Sequence, residues 1–349
     1  MRRTRRILVG AALVGPLAFT AARPAGACGG LIGENGTIQL VKTTTLAAYS
    51  DGVERYVTAF KFTGEGEEVG SIIPLPDVPT EVVRGGDWTL QRLVREVAPP
   101  PETDGDVALS AAEDSAGRAE VILETQIDAL DITVLKGGGD EVGEWAADNG
   151  FLLTPDAPEV LDFYAERSPI FMAAKFDANR AAELGQTTGD STPIMATIPT
   201  DDPWVPIRIL GLGLDEQQNV EADVFLLTDN RPGILAGGPG IRETRSEQAS
   251  SLLLDDLRSD VGMEWVPSEM WLSYLQVDSP ASELDYDLAI SDDPVARPSI
   301  EDTGVGQYDV VPVLPAANGV AVWPVLAGAG AALAIVLLGS RRLRPATLS

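Results

Sequence analysis

The sequence contains no histidine, one cysteine (Cys28) and only four lysines. Without histidine, Ser-His-Asp and Cys-His catalysis are excluded, as is imidazole ligation of zinc or copper. A lone cysteine cannot close an intramolecular disulfide in any compartment. Basic charge is scarce wherever acid is present. All 53 Asp and Glu lie between Cys28 and Gly319, with 17 Lys and Arg, a net charge of −36 for that segment. A field of that sign repels phosphates, so the chain takes no nucleic-acid partner. It keeps the segment soluble, and because salt screens its self-repulsion, adaptation to salt is a second reading.

Acid is absent from both ends. Residues 1–27 carry five arginines and no acidic residue. Met1-Arg2-Arg3-Thr4-Arg5-Arg6 precedes an apolar run from Ile7 to Phe19 and then Ala25-Gly26-Ala27. These are the three parts of a secretory signal, so 1–27 is a signal peptide and Cys28 the first mature residue. Thr4-Arg5-Arg6 leaves twin-arginine export open beside the general route. Cys28 after a small-residue site leaves lipidation open, although Ala25 stands where a lipobox has Leu. At the other end, Val320 to Gly339 is an uncharged stretch of 20 residues, with Trp323 near its outer edge. Arg341, Arg342 and Arg344 follow. Length, interfacial tryptophan and basic flank fit a single transmembrane helix over 320–340 and a cytoplasmic tail, 341–349. The location expected is the cell membrane, single-pass, with the acidic bulk extracellular.

With 44% hydrophobic residues, the region between has enough apolar material for a core. Strands are expected at 37–42 and 54–62 around the turn Ser50-Asp51-Gly52. Pro74, Pro76 and Pro79 make 71–79 an edge or rigid extended segment. Leu90, Leu93, Val94 and Val97 predict a helix with Asp87 as its cap. Residues 98–117 read as a loop or linker, and 119–135 as strand. Helices are expected at 140–148 and 158–166, the second with Asp156 as N-cap and Glu159 completing a capping box. Further strands fall at 170–176, 193–198, 205–212, 222–228 and 271–277, with a helix at 250–258. Residues 279–319, rich in Asp, Pro and Gly, read as a stalk that bounds a domain over 28–278. Without a regular βαβ alternation, the fold class is α+β, a largely antiparallel sheet with short helices, plus one C-terminal transmembrane helix.

Ala27-Cys28-Gly29-Gly30, Ile73-Pro74-Leu75-Pro76-Asp77-Val78-Pro79, and Asn149-Gly150 before Asp156-Ala157-Pro158 occur in this order. In these residues the chain, over Cys28 to Gly238, resembles the bacterial family of domain of unknown function 2330. The resemblance implies export, a C-terminal membrane helix and a shared fold, and it implies no chemistry. Where that family has a second cysteine soon after the first, this chain has Leu31-Ile32-Gly33, so no cysteine-pair role carries over.

Chemistry is hard to find. Asp201-Asp202, Asp255-Asp256 and Asp292-Asp293 are acid pairs, but neighbours on a strand point to opposite faces and do not by themselves build an acid and a base. Glu102, Asp104, Asp106 and Glu113 fall on liganding positions of an EF-hand-like loop, yet Val107 stands where its tight turn needs glycine. Gly137-Gly138-Gly139 and Gly237-Gly238-Pro239-Gly240 lack a P-loop lysine and read as turns. Lys175 is the lysine to check for a Ser-Lys pair. No catalytic residue, cofactor or metal is assigned. The expected role is a membrane-tethered surface module that binds or supports an envelope protein or polysaccharide; the alternative is a cell-envelope hydrolase using carboxylates or a Ser-Lys pair. The mature full-length protein should enter the detergent phase in a detergent phase separation; recovery wholly in the aqueous phase would remove the anchor.

Overall fold

A computed structural model describes residues 30–33, 39–63, 68–98, 120–151, 153–185, 192–293 and 297–305. The expected signal peptide, the EF-hand-like residues 102–113, the 320–340 span and the basic tail lie outside the described residues. Among the described residues no helix is long and apolar enough to cross a membrane.

The chain begins with strands β1 (Gly30–Gly33), β2 (Gln39–Ser50), β3 (Val53–Thr63), β4 (Glu68–Pro74) and β5 (Glu81–Arg84), then helix α1 (Thr89–Val97). The hairpin β6 (Glu120–Ile127) and β7 (Leu130–Lys136) leads to α2 (Gly139–Asp148) and α3 (Ala157–Arg167). Next come β8 (Ile170–Asp177), α4 (Ala178–Glu183), β9 (Ile194–Pro199), β10 (Trp204–Val205), β11 (Asn219–Thr228), β12 (Gly233–Ala236) and β13 (Ile241–Gln248). Helix α5 (Ser251–Arg258), β14 (Trp271–Pro280) and β15 (Leu288–Ser291) complete the order.

Two large sheets result, β1-β4-β8-β7-β6 and β13-β14-β11-β2-β3-β9-β5, with a small sheet β10-β15-β12 beside them. Among the described residues every pairing is antiparallel except that of β11 with β2. The class is therefore α+β with mostly antiparallel sheets and few, short helices.

Side-chain alternation turns the sheets into layers, because successive residues of a strand face opposite sides. Ile73, Met172 and Ala174 of the five-stranded sheet meet Ala47, Tyr56, Val224 and Leu226 of the seven-stranded sheet in one shared core. Their neighbours Ile72, Phe171 and Ala173 point outward, under α2 and α3. Leu46, Ala48, Phe225 and Leu227 likewise point outward, under α1 and α5. The order is helix pair, sheet, sheet, helix pair. Central strands are thus buried on both faces, which is why β8 and β11 read as continuous apolar runs.

Several expectations need correction. β4 is no edge: it lies between β1 and β8, because its prolines fall at and beyond the strand's end, where no ladder donor is lost. Asp87 does not cap α1. Its amide and that of Trp88 donate to the buried Asp260 carboxylate, at 3.0 and 2.9 Å, and the Thr89 hydroxyl does so at 2.8 Å. Asp156 makes no cap bond at α3 and instead accepts the Gly213 amide at 2.9 Å. β13, whose sequence IRETRSEQ hides its strand character, is an edge of its sheet with charged residues on its solvated side, a common protection for edges. The stalk does not begin at residue 279. β14 runs to Pro280, β15 pairs with β10 and β12, and Tyr286, Leu288 and Thr303 are buried.

The expected strand over 205–212 stops after Val205, and a 3-10 turn follows at Arg208–Gly211. The cause is Asp287, which has no exposed surface. Its Oδ1 accepts the Ile207 amide at 2.7 Å, the Arg208 amide at 3.2 Å and the Tyr164 hydroxyl at 2.8 Å, and its Oδ2 accepts Arg167 at 2.9 Å. Arg167 in turn stacks on the Trp204 ring, 4.2 Å from its centroid, and its guanidinium donates to the Asp302 carbonyl. Removing one partner of a buried ion pair leaves the other charge uncompensated, so Asp287→Ala should cost about 3–5 kcal/mol in urea unfolding. A loss below about 1 kcal/mol would place this network among the dispensable contacts.

Candidate functional site: an acidic cleft at one end of the large sheet

β2 and β11 run parallel, and β3 and β9 run antiparallel to β2 and β3 in turn. The β2–β3 turn, the chain after β9 and the chain after β11 therefore emerge at one end of the seven-stranded sheet. The end of β15 and residues 297–302 close that end. Asp51 and Gly52 turn the β2–β3 hairpin with φ of 53° and 73°, the left-handed pair that a two-residue type I′ turn needs and that Asp-Gly supplies.

Between these segments lies a cleft of about 630 Å³. Its walls carry seven aspartates, Asp51, Asp201, Asp202, Asp229, Asp292, Asp293 and Asp302, against one arginine, Arg297; Tyr49, Asn230, Ser291 and two prolines contribute as well. Hydrogen bonds hold the walls in place. The Tyr49 hydroxyl donates to the Thr200 carbonyl at 3.0 Å, and the Thr200 amide to the Gly52 carbonyl at 3.0 Å. Ser50 Oγ donates to Asp229 at 2.8 Å, and the Asn230 amide to Asp292 at 3.2 Å.

Charge in the cleft is costly, and the protonation of its groups shows this. Burial pushes the Asp202 carboxyl up, Arg167 pulls it down and Asp302 pushes it up again. Burial also raises Asp292; the Asn230 amide opposes this while Asp229, Asp293 and Asp51 reinforce it. The Tyr49 hydroxyl is raised by burial and then by Asp201 and Asp292. Directly opposite Tyr49 on β3, and so on the same sheet face, stands Glu54. It is fully buried, and burial pushes its carboxyl up to about 8, against the opposing pull of the Trp204 amide and Arg167. That amide is aimed at Glu54, yet neither carboxyl oxygen has a partner at hydrogen-bond distance.

The structure brings two of the three acid pairs together, Asp201-Asp202 and Asp292-Asp293. Asp255-Asp256 sits apart on α5, where Asp255 pairs with Arg258 and Asp256 with Arg92. Lys175 lies on β8 opposite Asp131 and Gly70, whereas Ser71 is opposite Ala174. Ser71 and Lys175 thus face opposite sides of the sheet and form no pair. Asp51, Asp229 and Asp302 were missed because the first two sit in ordinary turns after strands and the third in a short 3-10 helix, Glu301–Thr303. The signal of Asp51 and Asp229, Asp just past the end of a strand, points to a cleft only once strand order is known. Among the described residues no group of three acidic side chains is placed to hold a metal ion.

Comparison with known proteins adds a family and little else. The profile of an uncharacterized protein family conserved in bacteria, domain of unknown function 2330, matches residues 22–232. No curated protein matches the chain. Among solved structures, that of baculovirus P35 is similar over 73% of this chain and 97% of that one, at 10% identity and a TM-score of 0.38. A likeness that weak has no bearing on function.

The sign of the cleft's pH dependence follows from the raised carboxyls. A carboxyl whose pKa is higher in the fold than in the unfolded chain contributes stability below its unfolded value, about 4, and loses it as pH rises through the folded value. Near neutral pH, Asp202 and Asp292 therefore work against folding. Asp202→Asn and Asp292→Asn should each raise the thermal midpoint by about 2–4 °C at low salt. That gain should shrink in about 1 M NaCl. Unchanged or lowered midpoints in both variants would contradict this electrostatic account.

Proposed function

The chain belongs to this bacterial family of domain of unknown function 2330, and from that footing we propose that it is an exported, membrane-tethered binding module whose cleft takes a basic segment of an envelope protein. One observation carries the proposal: seven aspartates from distant loops line a single cleft with one arginine. Like charges gathered at that density raise the energy of the unbound protein, and an extended cation relieves the repulsion by replacing lost hydration with direct ion pairs. The volume and open shape suit lysine or arginine side chains on a flexible backbone better than a single ion. Export and tethering rest on the charge pattern of the two ends, with basic leader, apolar span and arginine flank. A neutral polysaccharide would gain little from this field.

A second reading gives the same cleft a reaction. Asp202 and Asp292 are both pushed upward, as a general acid requires, beside further carboxylates able to act as base. Loss of hydrolysis of envelope glycans or peptides on Asp202→Asn would support that reading.

Titration calorimetry of the full-length protein with a short oligolysine peptide separates specific binding from general attraction. Asp201→Asn with Asp292→Asn should weaken binding at least tenfold, about 1.4 kcal/mol. The exposed control pair Glu216→Gln with Glu269→Gln should leave it unchanged. Equal weakening in both would mean that the whole acidic surface, and not the cleft, attracts the peptide.

A further inference from the structure

Behind the cleft wall two buried groups each leave polar atoms unpaired. Glu54 has no exposed surface, and both of its carboxyl oxygens lack a hydrogen-bond partner. Arg167 places its terminal nitrogens on Asp287 and the Asp302 carbonyl, yet its Nε–H is buried and has no acceptor. Both lie against Trp204, Arg167 over its ring and Glu54 beside its amide. A buried acceptor pair and a buried donor that feel each other's charge without meeting are an unmade ion pair.

We propose that Glu54 and Arg167 form a proton-gated pair: they stay apart while Glu54 carries its proton, and the Glu54 carboxylate accepts the Arg167 Nε–H once that proton passes to solvent. The other charged or titratable groups facing Glu54 are Tyr49 on β2 and Asp202 after β9. Tyr49 is neutral through the relevant range, and Asp202 opposes ionisation of Glu54, so Arg167 is the group that rewards it. The raised carboxyl, near 8, places the transition just above neutrality. Since Asp202 and Tyr49 line the cleft while facing Glu54, closure of the pair is felt at the cleft wall. The inference concerns Glu54 and Arg167 alone and stands whether or not the cleft binds a basic segment.

The test reads two signals in the full-length protein between about pH 6 and about pH 10. Infrared difference spectra should show a protonated-carboxyl band that disappears with a midpoint near 8. In arginine-labelled protein, one Nε–H resonance should move downfield with the same midpoint. Glu54→Gln should abolish both changes. Absence of the protonated-carboxyl band in the unaltered protein near neutrality overturns the proposal. So does a band whose loss leaves every arginine Nε–H resonance unmoved, or a resonance shift that persists in Glu54→Gln. Because the first two overturning results are read in the unaltered protein, the proposal stays open to refutation even where the variant folds poorly.

Discussion

The arrangement depends on one buried carboxylate. Asp287 gathers Arg167 and Tyr164 from α3 and the amides of Ile207 and Arg208, at a point where three layers of the fold meet. Burying a charge is expensive, and the four donors around Asp287 offset part of that cost. Even so, burial dominates and the carboxyl remains raised, with Arg167 the strongest opposing influence. The consequence is geometric. α3 packs on the outside of the five-stranded sheet, whereas β15, beside Asp287, pairs with β10 and β12. The ion pair fixes one against the other and holds residues 290–293 and 297–302 over the end of the seven-stranded sheet.

That placement creates the cleft. Turns favour aspartate because its side chain satisfies local amides and tolerates left-handed backbone. When several such turns emerge at one end of a sheet and a further segment folds over them, a property of each turn becomes a property of a site. Asp51 and Asp229 share an electrostatic field because β2, β3 and β11 are neighbours, and Asp292 joins them from the end of β15 in the small sheet. The field is concentrated by partial burial, which is visible in the upward displacement of Asp202, Asp292 and Tyr49. Glu54, one strand away and fully buried, is the extreme of the same trend.

Much of the fold was legible. Apolar runs at β8 and β11, the β2–β3 turn and the helices α2, α3 and α5 lie where periodicity and turn chemistry place them, since those signals are local. What failed was anything that depends on a distant partner. Asp87 and Asp156 look like caps, but α1 is capped by Asp260, more than 170 residues along the chain, and Asp156 serves Gly213. The 205–212 segment has strand composition, but Asp287 claims the amides that a ladder would have used. β13 is polar because one side meets water, so its alternation is invisible to a reading that seeks apolar runs. In the candidate site, Asp201-Asp202 and Asp292-Asp293 were visible as pairs, and nothing in the spacing said that they would meet.

The sequence by itself determined the sign and distribution of charge, the absence of imidazole chemistry and of disulfides, the α+β class and the family resemblance. All of these follow from residue identity or from patterns within a dozen residues, where the backbone's own periodicity relates position to direction. Only the tertiary structure decided that seven aspartates share one cleft, that residues 279–293 and 297–305 belong to the domain, and that Glu54 and Arg167 lie buried within reach of each other's charge. Those facts depend on strand order and on which layers stack, and strand order is set by long-range packing whose cost and gain no short stretch of chain records.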